Sequence, residues 1–582
     1  MVFLSPDRTN FGLLARFARR RLAPNRYDLV ALAVIGLGAV LIVHGAQEMN
    51  LPLANLHTTP IVLDPARLPE YALRTTLRMF AAIFASLLFT FIVATLAAKS
   101  RKAELVIIPM LDILQSVPVL GFLTFTVTFF MGLFPSSELG VECAAIFAIF
   151  TAQAWNMAFS FYQSLRTLPG DLDEVSRQFG LSPWRRFLRL ELPFATPALV
   201  WNTMMSMSGS WFFLVASEAI TVGNTQVTLP GIGSWLAVAI EQKNFTAVAW
   251  AVGAMGVVIV LYDQLLFRPI VAWADKFRFE QTASEEEPRS WFFDVLRRTR
   301  LLARLGAPLA ALLRAIPVPK APKVSLPQIG GPRTGRWFDI AWLALVIAVT
   351  IWAALTILRY ISHTVSLHDA LTAFDLGLIT LLRVLILIAL ASLIWVPIGV
   401  WIGLRPVWTE RIQPVAQFLA AFPANVLFPM AVIVIVAWKL DPDIWLSPLM
   451  ILGTQWYILF NVVAGAAALP NDLKEVSGIF HLGSWQRWRD LILPGIFPYY
   501  VTGALTASGG SWNASIVAEV ASWGHSRLEA KGLGSFIADA TSAGDYPRVA
   551  LGIAVMSILV IFLNRTVWRP LYAFSERHFR LD

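Results

Sequence analysis

The sequence predicts an all-α polytopic membrane protein made of two tandem six-helix halves, with twelve transmembrane helices in all. Three observations carry this expectation: an apolar composition, a series of apolar stretches of spanning length, and an internal repeat at a fixed offset. Of 582 residues, 57% are hydrophobic and 14% charged, and the mean hydropathy is +0.65. Lipid is the solvent that suits such a chain.

A helix crosses hydrocarbon with about 20 mostly apolar residues, because every backbone polar group must be satisfied inside the segment. In the first half such stretches fall near 29–47, 75–97, 106–133, 143–165, 194–218 and 246–270. In the second half they fall near 337–359, 376–404, 412–437, 446–468, 495–519 and 547–568.

The net charge of +9 does not indicate nucleic acid, since Lys and Arg sit between apolar stretches and form no patch with interleaved aromatics. They set orientation instead. Arg16, Arg19, Arg20, Arg21 and Arg26 precede the first stretch, and Lys99, Arg101 and Lys102 follow the second, so those ends are expected in the cytoplasm. Lys276, Arg278, Arg297, Arg298, Arg300 and Arg304 between the halves agree, as do Arg577 and Arg580. Both termini are thus expected inside. The first apolar stretch is long and lacks a small-residue cleavage site, so it is expected to stay as an anchor. Cys143 is the one cysteine, which excludes an intrachain disulfide.

The expected domains are 1–270, a cytoplasmic linker at 271–336, and 337–582. The linker is basic, then acidic at Glu285, then Pro-rich from Pro317 to Pro332. Residues 291–316 are apolar but carry five arginines, and are expected to lie on the inner membrane surface. Counting them as a span would invert the second half.

The repeat decides the architecture. At an offset of 301, Trp155 matches Trp456, Pro169 matches Pro470, Glu174-Val-Ser matches Glu475-Val-Ser, Ser210-Trp211 matches Ser511-Trp512, and Glu218 matches Glu519. Gly231 and Gly233 match Gly532 and Gly534. Upstream the offset is 305, pairing Thr75 and Arg78 with Thr380 and Arg383. Six spans separate equivalent points, so both copies share one orientation. An axis along the membrane normal then relates them, with a path between the halves.

Between the fourth and fifth stretches the chain reads EVSRQFGLSPWRRFLRLELP, from Glu174 to Pro193, and again EVSGIFHLGSWQRWRDLILP, from Glu475 to Pro494. A polar, basic segment with a glycine between two helical pieces makes a helix-turn-helix on the membrane surface. Glu174, Gly180, Leu190, Leu192 and Pro193 stand at the spacing of the EAA loop, so the segment resembles that of binding-protein-dependent ABC importer permeases. In the second copy Glu475, Leu491, Leu493 and Pro494 fit, while His481 replaces the glycine. A β-carbon in a left-handed turn costs roughly 1 kcal/mol, so the second loop is expected to turn differently.

The wider pattern, with LDILQSVPVLGF from Leu111 to Phe122, resembles a duplicated permease of the nitrate, sulfonate and bicarbonate branch. The resemblance implies two type I importer transmembrane domains in a bacterial inner membrane. It also implies coupling loops that seat in two ATP-binding subunits, a separate extracytoplasmic solute-binding protein, and alternating access for a small anion. ATP and magnesium would belong to the partner subunit. This chain has no G-x-x-x-x-G-K-[ST] loop and no Cys/His cluster with ligand spacing, so no catalytic residue, metal or cofactor of its own is expected. Its expected outer loops, near 48–74, 219–245 and 520–546, are too short for a receptor domain.

Intramembrane charges mark a pathway or a pair. Arg78 and Arg383 lie near the outer end of the second span of each half, at depths matching Glu218 and Glu519. Two readings stand: structural ion pairs, or an electropositive vestibule gated by the glutamates. Trp211, Ser210, Trp512, Ser511 and Asn513, near the middle of span five, are packing residues on one reading and line the path on the other. Asn513 opposite Phe212 would make that path asymmetric. Two other classes remain open. An ion-coupled secondary transporter also has two six-helix halves but needs no docking loop, and a membrane scaffold would leave both loops without a task.

Overall fold

The computed structural model describes residues 61–277, 290–299, 365–469 and 477–578, with positions 117, 136, 223–224, 478 and 525 excepted, plus scattered residues of 344–361 and 473. The spans expected at 29–47 and, for the most part, 337–359 lie outside these residues, as does most of the linker.

The described residues of the first half form α1 (Leu68–Lys99), α2 (Arg101–Ser116), α3 (Val119–Leu133), α4 (Leu139–Arg166), α5 (Gly170–Gln178) and α6 (Leu192–Glu218). A hairpin of β1 (Ala219–Val222) and β2 (Thr225–Thr228), then α7 (Ile232–Glu241) and α8 (Phe245–Tyr262), complete it. The second half follows with α9 (Leu367–Gly403), α10 (Pro406–Ala421), α11 (Phe428–Ala437), α12 (Gln455–Ala467) and α13 (Leu493–Ala518). Its hairpin is β3 (Val520–Trp523) with β4 (Ser526–Glu529), followed by α14 (Leu533–Ala543) and α15 (Tyr546–Leu563).

Among the described residues six helices are long and apolar enough to cross a membrane, and two further bent pairs raise the number to eight if each is one span. Both stretches read as the third span of a half are broken. In the first, α2 ends at Ser116 and α3 resumes after Pro118; in the second, α10 gives way at Phe422-Pro423 and the axis turns by 76°. Proline disfavours helix in the residue before it and removes an N–H, and Pro118 and Pro423 are equivalent at the offset of 305. The fourth span of the second half is also bent, by 45° around Gly453, where α4 of the first half runs straight through.

The repeat extends further than the sequence comparison reached. Each hairpin is antiparallel, pairing Ala219 with Thr228 and Val520 with Glu529. A π-helical turn occurs at Phe187–Glu191 and Trp488–Ile492, and a second at Asp263–Phe267 and Asn564–Trp568. All of these keep the offset of 301.

Two compact units divide the described residues. One gathers Ser164–Trp201 with the described part of Leu261–Ile329, including a short helix at Trp291–Arg298 inside the expected surface segment. The other gathers the described parts of Glu48–Gln163, Asn202–Val260 and Gly330–Asp582, and so contains helices from both halves. Packing in this unit follows the logic of helices in lipid, where small residues permit close approach. On α1, Ala82, Ser86, Thr90 and Ala94 are buried, while Phe84, Leu88, Ile92 and Leu96 form an exposed stripe. On the second half, Gly399 and Gly403 of α9 lie against Val462 and Val463 of α12, and a Cβ at either would overlap them.

Candidate translocation and coupling sites

Three arrangements occupy the positions singled out above, beginning with the membrane charges. Arg78 projects from α1 and is fully buried. Its Nε and Nη2 donate to the two carboxylate oxygens of Glu142, each at 2.6 Å, and its Nη1 donates to Glu218 Oε1 at 2.6 Å and to the Pro230 carbonyl at 2.9 Å. Glu218 also accepts from Thr75 Oγ1 at 2.8 Å and from the Gly233 amide at 2.7 Å, and Thr75 Oγ1 in turn accepts from the Ile232 amide. The cluster ties α1, α4, α6 and α7 together at one level.

The second half repeats this with one difference. Arg383 Nη1 donates to Glu519 Oε1 at 2.6 Å, Thr380 Oγ1 donates to the same oxygen at 2.9 Å, and the Gly534 amide donates to Oε2 at 2.7 Å. In place of a second carboxylate, the carbonyl of Asp443 accepts from Arg383 Nη2 at 3.2 Å, and the carbonyl of Lys531, the counterpart of Pro230, accepts from the same nitrogen at 3.2 Å. Asp443 is the counterpart of Glu142 at the offset of 301, and its Oδ1 instead accepts from the Lys531 amide at 2.6 Å. The first cluster therefore holds one cation against two carboxylates and the second holds one against one.

The structure thus brings Arg78 to Glu218 and Arg383 to Glu519, as closed pairs with side chains at most 9% exposed. Glu142 was missed in the sequence. The available signal was a carboxylate at the head of an apolar stretch, which its position at the outer end disguised as a loop charge.

The two segments that resemble the EAA loop come next. In the first, α5 ends at a left-handed Gly180, φ +62°, and the Leu181 amide donates to the Ser176 carbonyl across the turn. Ser182 then caps a short helix at Pro183–Arg186, which runs through the π turn carrying Leu190 into α6 at Leu192 and Pro193. Glu174 is exposed, and Phe179 and Trp184 beside it are 80% and 54% exposed.

In the second segment Glu475 lies outside the described residues, but the turn is visible. His481 takes φ +47°, and the Leu482 amide donates to the Ser477 carbonyl. The expectation that the second loop turns differently is therefore corrected: both loops adopt the same six-to-one helix stop. Space explains the tolerance, since a Cβ at Gly180 would meet nothing within 4 Å and His481 is exposed. The backbone cost remains, so His481→Gly is expected to raise stability by up to about 1 kcal/mol, read as a higher melting temperature of the purified chain. A lower melting temperature would show that the imidazole makes a needed contact. Leu491 sits in the π turn, and Leu493 and Pro494 open α13.

The third arrangement is a cavity of about 150 Å³ inside the larger unit, lined from both halves. Trp211 and Trp512 are 0% and 1% exposed, and their neighbours Gly209, Phe213, Gly510 and Asn513 form the wall. Ser210 and Ser511 are buried, each hydroxyl donating to the carbonyl four residues back, which satisfies them within their own helix. Of the five span-five residues proposed for the path, Asn513 is the one on the cavity wall.

Asn513 also joins the halves. Its Oδ1 accepts from the Val119 amide at 2.6 Å, an N–H left unpaired by the break at Pro118, so a side chain of one half caps a helix of the other. Asn156 and Ser206 bond to each other at 2.9 Å on the opposite wall. None of the described lining residues is charged. Among the described residues there is also no group of three or more His, Cys, Asp or Glu placed to hold a metal.

Comparison with known proteins matches residues 86–268 and 395–577, each to the family model described as binding-protein-dependent transport system inner membrane component. The nitrate import permease protein NrtB of Leptolyngbya laminosa is 26% identical over 188 residues, 32% of this chain and 64% of that relative. The bicarbonate transport system permease protein CmpB of Synechococcus elongatus is 26% identical over 179 residues, 31% of this chain and 61% of that relative. The glycine betaine/proline betaine transport system permease protein ProW of Escherichia coli is 30% identical over 138 residues, 23% of this chain and 36% of that relative. The matched stretch covers less than two thirds of each.

Proposed function

Because the chain belongs to the binding-protein-dependent transport system inner membrane component family, we propose that it is the fused permease of an ATP-driven importer. It would carry a small anion such as nitrate, sulfonate or bicarbonate, released by an extracytoplasmic binding protein, across a bacterial inner membrane by alternating access. The observation that carries the reading is the duplicated coupling segment. Two surface elements share a left-handed turn, a closing hydrogen bond and a π turn that leads without a break into span five.

That continuity gives the mechanism. Each segment would seat in one of two ATP-binding subunits, which hold ATP and magnesium and perform the hydrolysis. Closure of those subunits would draw the segments together, and α6 and α13 would move as rigid levers because no loop intervenes to absorb the displacement. Both helices contribute wall to the cavity, so a motion begun at the segments reaches the solute path. The exposed aromatics Phe179 and Trp184, with Phe480 and Trp485 at the offset of 301, suit insertion into a cleft.

The test is copurification. Wild type is expected to bring down a Walker-motif subunit with ATPase activity, and Glu174→Ala with Glu475→Ala is expected to lose it. Should wild type retain no ATPase yet transport under an ion gradient in liposomes, an ion-coupled secondary transporter replaces this reading.

A further inference from the structure

Contacts between the two halves tie the larger unit at two levels. The first is at the cavity wall, where the halves exchange similar contacts. Beside the Val119–Asn513 bond, Asn425 Nδ2 donates to the Phe212 carbonyl at 3.3 Å. Phe212 is the counterpart of Asn513, and Asn425 lies one residue past the counterpart of Val119. Each break in span three is thus held by span five of the other half.

The second level lies where span five ends and its hairpin begins, in the stretches expected to face outward. The Gly524 amide, at the tip of the β3–β4 hairpin, donates to the Ile240 carbonyl in α7 of the first half at 3.0 Å. Trp523 is 8% exposed and packs its ring on Phe245 at the head of α8, with centroids 4.5 Å apart. The Lys243 side chain runs across the hairpin tip, where a Cβ at Gly524 would overlap it. Gly524 takes φ +57°, so the tip needs glycine both for its turn and for its close approach.

This second level is one-sided. At the offset of 301, Val222 stands in the place of Trp523 and Tyr546 in that of Phe245, and the Tyr546 ring lies against Phe125 instead. A hydrogen bond weakens steeply as its geometry is lost, so rocking one half against the other undoes the contact at Gly524.

We propose that Trp523, Gly524 and Phe245 form a clasp, made by the hairpin of the second half on the first, that holds the outer side of the path shut. The clasp rests on the importer reading, in which the path is closed on one side at a time, and adds to it which residues bar the outer side.

The reporter is a thiol in the cavity. Gly509 lines it, and a Cβ there meets nothing within 4 Å, so Gly509→Cys with Cys143→Ser puts the one thiol of the chain in the path without displacing a neighbour. The full chain with its ATP-binding subunits is kept in right-side-out membrane vesicles and treated with a charged thiol reagent that does not cross the membrane. Slow modification is expected, and Trp523→Ala or Phe245→Ala is expected to speed it about tenfold by removing the ring contact. Trp523→Phe keeps a ring in place, and Trp250→Ala removes an exposed ring of α8; both are expected to leave the rate unchanged. Fast modification before either ring is removed, or a rate unmoved in both alanine variants of the clasp, overturns it. So does equal acceleration by Trp250→Ala, which would make the effect a general loosening of α8. In those cases copurification of an ATP-binding subunit leaves the importer reading standing; its absence removes that reading whatever the labelling rate.

Discussion

Arg78→Met is expected to destabilise the folded permease by about 3–5 kcal/mol, the cost of removing one partner from a buried ionic cluster. The guanidinium is fully buried and pairs with both Glu142 and Glu218, whose side chains are buried too, so its loss strands two carboxylates together out of reach of solvent. Charges in that position pay desolvation with nothing opposite them.

The comparison that isolates this cause is Arg383→Met, which strands one carboxylate, Glu519, still held by Thr380 and the Gly534 amide. Its effect is expected to be smaller. Adding Glu142→Gln to Arg78→Met is expected to recover part of the loss, because it removes one of the two stranded charges. Melting followed by size-exclusion chromatography after heating reads all three. Equal melting of Arg78→Met and wild type would rule out a structural role for the cluster and revive the vestibule reading of Arg78.

The second large effect is expected at a residue with no side chain. A Cβ at Gly231 would overlap the Glu218 carboxylate, and one at Gly532 would overlap that of Glu519. Neither carboxylate can step aside, since each is fixed by an arginine, a threonine and a backbone amide. Gly231→Ala and Gly532→Ala are therefore expected to cost about 1–3 kcal/mol each, the range for overpacking a filled interior. The control is Gly253→Ala in α8, where a Cβ meets nothing within 4 Å and the better helix former should not destabilise. If all three alanine variants melt together, the glycines are not there to make room for the carboxylates.

These two predictions also explain why the repeat keeps Thr75, Arg78, Glu218, Gly231 and Gly233 in both halves, the first two at an offset of 305 and the other three at 301. A buried carboxylate needs a cation, a hydroxyl, an amide and empty space, and each residue type supplies one of them. The matched positions were legible from the two offsets, whereas their convergence on a single carboxylate was not.

Sequence alone determined what depends on local chemistry. Apolar length fixed the class and the approximate spans. The offset of 301 fixed the duplication, and a polar segment with glycine or histidine at one place in each copy fixed where the two left-handed turns fall. Pro118 and Pro423 were visible as well, but a stretch of good hydropathy hides a bend, since hydropathy counts residues without asking whether their backbone stays helical.

Tertiary structure decided what depends on neighbours far away along the chain. Glu142 and Glu218 lie 64 and 140 residues from Arg78, and Val119 lies 394 from Asn513, so no window of sequence contains both partners. Only packing could show that Trp211 and Trp512 face the protein interior while Asn513 meets the cavity, because helix periodicity gives a face without saying what lies opposite. The same holds for His481. Its left-handed conformation is decided by open space and a closing hydrogen bond in three dimensions, which outweigh the intrinsic preference of its own backbone.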